Sequence, residues 1–105
     1  MKSVVNNKTP LIELIKEYSR DIQSLGVYRI GFFGSFAKNE MSEKSDVDFF
    51  VEFYPQQKSF DNFMNLAFLL EEITSRKIKL VTPQSLSPYI GKFILNQIEY
   101  VSFAA

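Results

Sequence analysis

The stretch from Gly31 to Phe53 reads GFFGSFAKNEMSEKSDVDFFVEF, and its two apolar ends predict two strands joined by a polar segment. The first, Val27 to Phe33, is short, β-branched and aromatic, and it stops at Gly34-Ser35, where the chain can turn tightly. Ten residues on, Asp46-Val47-Asp48-Phe49-Phe50-Val51-Glu52-Phe53 alternates into a second strand closed by Tyr54-Pro55. Side chains at i and i+2 of a strand share a face, so Asp46, Asp48, Phe50 and Glu52 project together. Two carboxylates side by side at that spacing suit one or two divalent cations. An Asp-x-Asp alone is common as a solvated strand start. Here the face turns apolar from Phe50 onward, which puts Asp48 at the rim of the core, where an uncompensated charge is costly and a metal would resolve the cost. Gly34-Ser35, alone no more than a turn, opens a short helical turn through Phe36 and Ala37 whose unpaired amides and hydroxyl suit an anion.

Working outward, Thr9-Pro10 offers a cap and a helix-starting proline, followed by Leu11, Leu14, Ile15, Tyr18, Ile22 and Leu25 at spacings of three and four. One amphipathic helix running to about Gly26 is expected. Phe63, Leu66, Ala67, Leu70 and Ile73 predict a second long helix, Phe60 to Thr74. A third strand, Ile78 to Thr82, ends at Pro83. Ser87-Pro88 opens a last helix to about Asn96, with Tyr89, Ile90, Phe93 and Ile94 as the expected buried stripe, and Glu99 to Phe103 reads as a terminal strand. Helices alternating with strands in one short chain indicate a single domain over residues 1–105 of α/β (α+β) class, a small mixed sheet covered by helices.

The chain has 105 residues, 12 Lys plus Arg against 12 Asp plus Glu, and neither Cys nor His. The zero formal charge supplies no long-range field toward nucleic acid or an acidic membrane, so any anion must be bound locally. Without Cys and His there are no disulfides, no thiolate or imidazole metal sites and no serine-histidine-aspartate hydrolysis. Hard cations with oxygen ligands remain, Mg²⁺ and Mn²⁺ foremost. Met1 to Pro10 has no apolar stretch of signal-peptide type, and no apolar run approaches the ~20 residues that span a bilayer, so a cytoplasmic location is expected.

The order Gly34-Ser35, ten residues, Asp46-x-Asp48, with its apolar flanks, resembles the nucleotidyltransferase signature of the DNA polymerase beta-like superfamily, in particular its minimal nucleotidyltransferase branch. Ala37-Lys38 stands where that family usually has Ala-Arg, and Glu40 and Ser45 also match. More weakly, Ile78 to Pro83 resembles the family's third catalytic strand, and Ser87 to Val101 its closing helix and tail. The resemblance implies the nucleotidyltransferase fold and transfer of a nucleoside monophosphate from a nucleoside triphosphate to a hydroxyl, with two divalent cations (Mg²⁺ or Mn²⁺). By the same resemblance, Gly34 and Ser35 would bind the β and γ phosphates, while Asp46 and Asp48 would be the catalytic, metal-holding pair. Members of this branch are commonly encoded beside a small helical HEPN protein in toxin-antitoxin pairs, so such a partner, carrying the acceptor hydroxyl, is implied. Nucleic acid and membrane are not expected partners, and a homo-oligomer stays open.

One position departs from the pattern. The family's third carboxylate stands second in a strand of the form Val-Asp-Leu-Val, and here the strand reads Ile78-Lys79-Leu80-Val81. A unit charge about 5 Å from another at an effective dielectric of 20 is worth roughly 3 kcal/mol, and more beside a dication, so Lys79 disfavours the second metal. Lys79 could instead stand in the vacated place as a fixed charge, or a shifted register could turn it to solvent. Two functions follow: an active transferase, or a nucleotide-binding or partner-binding, antitoxin-like module with impaired catalysis. Glu52, Glu71 and Glu72 are the candidate substitutes for the missing carboxylate, and Arg76 and Lys77 are either phosphate contacts or a solvated basic cluster.

Overall fold

The computed structural model describes residues 5–103, the side chain of Ile90 excepted. Its elements are α1 (Lys8–Glu17), α2 (Ser19–Ser24), β1 (Val27–Phe33), β2 (Val47–Phe53), α3 (Phe60–Thr74), β3 (Ile78–Val81), a 3-10 turn at Pro83–Ser85, α4 (Pro88–Leu95) and β4 (Glu99–Val101). The four strands form one mixed sheet in the order β3-β2-β1-β4. β1 runs antiparallel to both β2 and β4, whereas β2 and β3 are parallel and joined across α3. The mixed sheet with its helices is the expected architecture.

Alternation along the strands gives the sheet two unlike faces. Ile30, Phe32, Val47, Phe49 and Val51 point to one of them and join Leu11 and Ile15 of α1, Ile22 of α2, and Leu66, Leu70 and Ile73 of α3 in a continuous buried core. The other face carries Phe50, buried edge-to-face against Tyr100 with centroids 6.3 Å apart. α3 is bounded by local chemistry: Ser59 Oγ accepts from the Asn62 amide at 3.1 Å, and Ser75 closes the helix in the left-handed region at φ 55°.

Three expectations need correction. The first helix is two, broken at Tyr18, because the buried Ser19 hydroxyl donates to the carbonyls of Ile15 (3.2 Å) and Lys16 (2.5 Å) and takes over the end of α1. Its cap is Asn7, whose Oδ1 accepts from the Thr9 amide, so Thr9 and Pro10 lie inside the first turn. The stripe expected on the last helix is not buried: Tyr89 is 93% and Phe93 67% exposed, and Ile94 is half-buried, while the Ile90 side chain lies outside the described residues. This short helix instead turns its buried Gly91 toward Leu86, where an added Cβ would already sit 3.4 Å away. Smaller differences are a second strand that begins at Val47, a third that ends at Val81, where Thr82 starts capping the 3-10 turn, and a fourth that ends at Val101.

Among the described residues no helix is long and apolar enough to cross a membrane. The packing gives a contrast that chemical denaturation can read: Phe49→Ala, in the fully buried core, should cost about 3–5 kcal/mol, whereas Phe93→Ala should stay within about 0.5 kcal/mol of the parent.

Candidate functional site

β1 ends at Phe33, and the chain reverses direction at Gly34 with φ 71°, a conformation that an L side chain rarely adopts. Space makes the same demand, since a Cβ at Gly34 would fall on Asp48 Oδ2. The turn that follows is helical at its start. The Lys38 amide donates to Gly34 O at 3.1 Å and the Glu40 amide to Ser35 O at 2.8 Å. In such a turn the first amides have no partner within the turn itself. Phe36 anchors the turn in the core.

The β1–β2 register pairs Phe33 with Asp48, and the β2–β3 register pairs Asp48 with Lys79. Gly34, Asp48 and Lys79 thus meet across three chain segments, with Asp46 immediately before β2. Asp46 and Asp48 are both half-buried, and Lys79 is exposed on the Asp48 face. Burial raises the Asp48 pKa above its ordinary 3.8; the Lys79 charge pulls it down, and Asp46 pushes it up again. The carboxylate pair is a set of hard oxygen donors fit for a single hard cation shared with phosphate oxygens.

None of the substitute carboxylates joins it. Glu52 lies four residues further along β2 and is held by Arg29 at 2.5 Å, with the guanidinium stacked 4.1 Å from the Tyr100 ring centroid. Glu71 and Glu72 are exposed on α3, which packs on the opposite face of the sheet. Among the described residues no group of three or more His, Cys, Asp or Glu side chains is placed to hold a metal.

Arg76 was open between phosphate contact and solvated charge, and it is neither. It is buried, and its guanidinium donates to the carbonyls of Val5, Ser42 (3.0 Å) and Ser45 (2.9 Å) and lies 5.1 Å from the Phe36 ring centroid. One cation thereby ties the loop entering Asp46 to the turn carrying Gly34 and Ser35. Nothing in the residue types marks an arginine for this role, because its partners are backbone carbonyls remote in sequence. Lys77 is exposed, and with Lys44 it flanks a cleft of about 450 Å³ beside Asp46.

Comparison with known proteins places this geometry in a class. The family model described as nucleotidyltransferase domain matches residues 12–101, and the chain belongs to that family. Within it, the likenesses are to the minimal nucleotidyltransferases. The protein named protein adenylyltransferase MntA, from Thermococcus cleftensis, is 37% identical over 79 residues, covering 75% of this chain and 79% of the relative. A solved structure provisionally named a minimal nucleotidyltransferase superposes with a TM-score of 0.69 at 24% identity, over 84% of this chain and 93% of that one. A complex described as tri-AMPylated Shewanella oneidensis HEPN toxin with MNT antitoxin gives a TM-score of 0.60 at 17% identity, over 89% and 73% of the two chains. These two structures share the fold.

Two outcomes test the geometry. Because the Asp48 pKa is raised on folding, the folded state holds its proton more tightly than the unfolded chain, and stability falls as pH rises from 3.8 through the folded-state value. Asp48→Asn should therefore melt higher than the parent at neutral pH, with the gap closing as pH falls below 3.8. Arg76→Ala, which leaves loop carbonyls without their buried donor, should lower unfolding free energy by about 1–3 kcal/mol in denaturant titrations.

Proposed function

We propose that this protein binds a nucleoside triphosphate with Mg²⁺ or Mn²⁺ at Gly34, Ser35, Asp46 and Asp48, and transfers its nucleoside monophosphate to a hydroxyl on a partner protein. The observation that carries the reading is the closure of the Gly34 turn on Asp48, which sets the start of the turn against the carboxylate pair. Amides at the start of the turn and the Ser35 hydroxyl bind the β and γ phosphates and so orient the α phosphorus. Asp46 and Asp48 hold the cation, which when bound neutralises charge on the phosphate oxygens and the departing pyrophosphate. In the transfer the hydroxyl oxygen bonds to the α phosphorus, the bond to the pyrophosphate oxygen breaks so that pyrophosphate leaves, and the hydroxyl proton passes to solvent water.

The relative named as a protein adenylyltransferase supports ATP as donor and a protein as acceptor. The complex described with an AMPylated HEPN toxin supports a small helical HEPN partner, and hence an antitoxin-like role. A second reading, a module that binds nucleotide or partner with transfer weakened, is favoured by the pairing of Lys79 with Asp48.

Calorimetry with Mg-ATP checks the site: an Asp46→Asn, Asp48→Asn double variant should bind at least about tenfold more weakly than the parent. Equal affinity in the two proteins would remove these residues from the site. Incubation with labelled ATP and the co-encoded partner then separates the readings, label on the partner marking a transferase.

A further inference from the structure

Lys79 faces the carboxylate pair from the neighbouring parallel strand, directly in register with Asp48. Adjacent strands lie about 4.8 Å apart, so a side chain of lysine length reaches any phosphate held against Asp48. The lysine is exposed, and its charge already acts on Asp48, opposing the effect of burial. On the same face of β2 the nearest other carboxylate, Glu52, is engaged by Arg29. On this face of the sheet the protein therefore offers the site two carboxylates and one ammonium. Two dications placed about 3.5–4 Å apart, the spacing of two-metal centres, would find only that pair of carboxylates as protein ligands there, with a repelling ammonium beside them.

We infer that this site takes one divalent cation with its nucleotide, and that the Lys79 ammonium occupies the second cation's place, contacting the α phosphate as a fixed single charge. The inference rests on the nucleotide site proposed above and deepens it. An ammonium and a metal ion at that place do different chemistry. The ammonium hydrogen-bonds a non-bridging phosphate oxygen and offsets one charge, but it has no vacant coordination position for a hydroxyl and cannot ease its deprotonation by direct ligation. Lys79 thus favours holding the nucleotide over activating the acceptor, which couples tight binding to slow transfer in this chain.

Electron paramagnetic resonance of Mn²⁺, titrated into the protein with an ATP analogue bearing a methylene bridge between the α and β phosphates, counts the ions without any turnover. The parent should hold one Mn²⁺ per chain, and Lys79→Asp should hold two. Lys79→Met should keep one Mn²⁺ but bind the analogue about tenfold more weakly, the loss of one charge-assisted hydrogen bond. Lys79 is exposed, so all three proteins should fold, which a cooperative thermal melt of each confirms first. Two tightly held Mn²⁺ ions in the parent, or unchanged analogue affinity in Lys79→Met, would overturn the inference while leaving the nucleotide site standing. Absence of any analogue-dependent Mn²⁺ binding in the parent would overturn both.

Discussion

The guanidinium of Arg76 is buried where three segments with little regular structure converge, and each segment needs something it supplies. A buried cation is costly unless its hydrogen-bonding capacity is used, and a buried loop carbonyl is costly unless it finds a donor. Val5, Ser42 and Ser45 contribute carbonyls, and Phe36 contributes a ring face. The Val47 amide adds a bond to Lys77 O at 3.0 Å, so the starts of β2 and β3 are pinned beside the same residue. The site depends on this arrangement more than on its own side chains. Asp46 leaves the loop that Arg76 holds, and Gly34 and Ser35 leave the turn that Phe36 anchors.

The two faces of the sheet divide the work between stability and chemistry. The covered face is a continuous apolar layer against three helices. The other face descends in rows: Phe33, Asp48 and Lys79; then Gly31, Phe50 and Tyr100; then Arg29 and Glu52. Gly31 is needed because the backbone of Glu99 and the Ile98 side chain lie where its Cβ would be. That close approach seats β4 and closes the apolar row under the polar one. Asp48 sits at the boundary, which is why burial and the Lys79 charge act on its carboxyl in opposite directions.

The match to the family model runs over residues 12–101, which contain the strand, the turn and the carboxylate pair. Lys79 stands on a strand whose Ile78 and Leu80 pack against the core, so the fold does not depend on its charge, which faces Asp48.

Patterns confined to a few neighbouring residues were legible in the sequence. The bounds of β1 and α3 follow from local signals: an apolar run halted by glycine, and an apolar stripe at helical spacing. The juxtaposition of Gly34-Ser35 with Asp46-x-Asp48 was legible too, since strand alternation and a tight turn suffice to aim both toward one end of the sheet. Only the tertiary structure decided the break at Tyr18, the outward stripe of α4, the anchoring role of Arg76 and the side of the sheet on which Lys79 stands. Each of these rests on a partner far along the chain or on the register between strands. Sequence periodicity specifies which residues share a face; which face is then covered, and by what, is set by long-range packing.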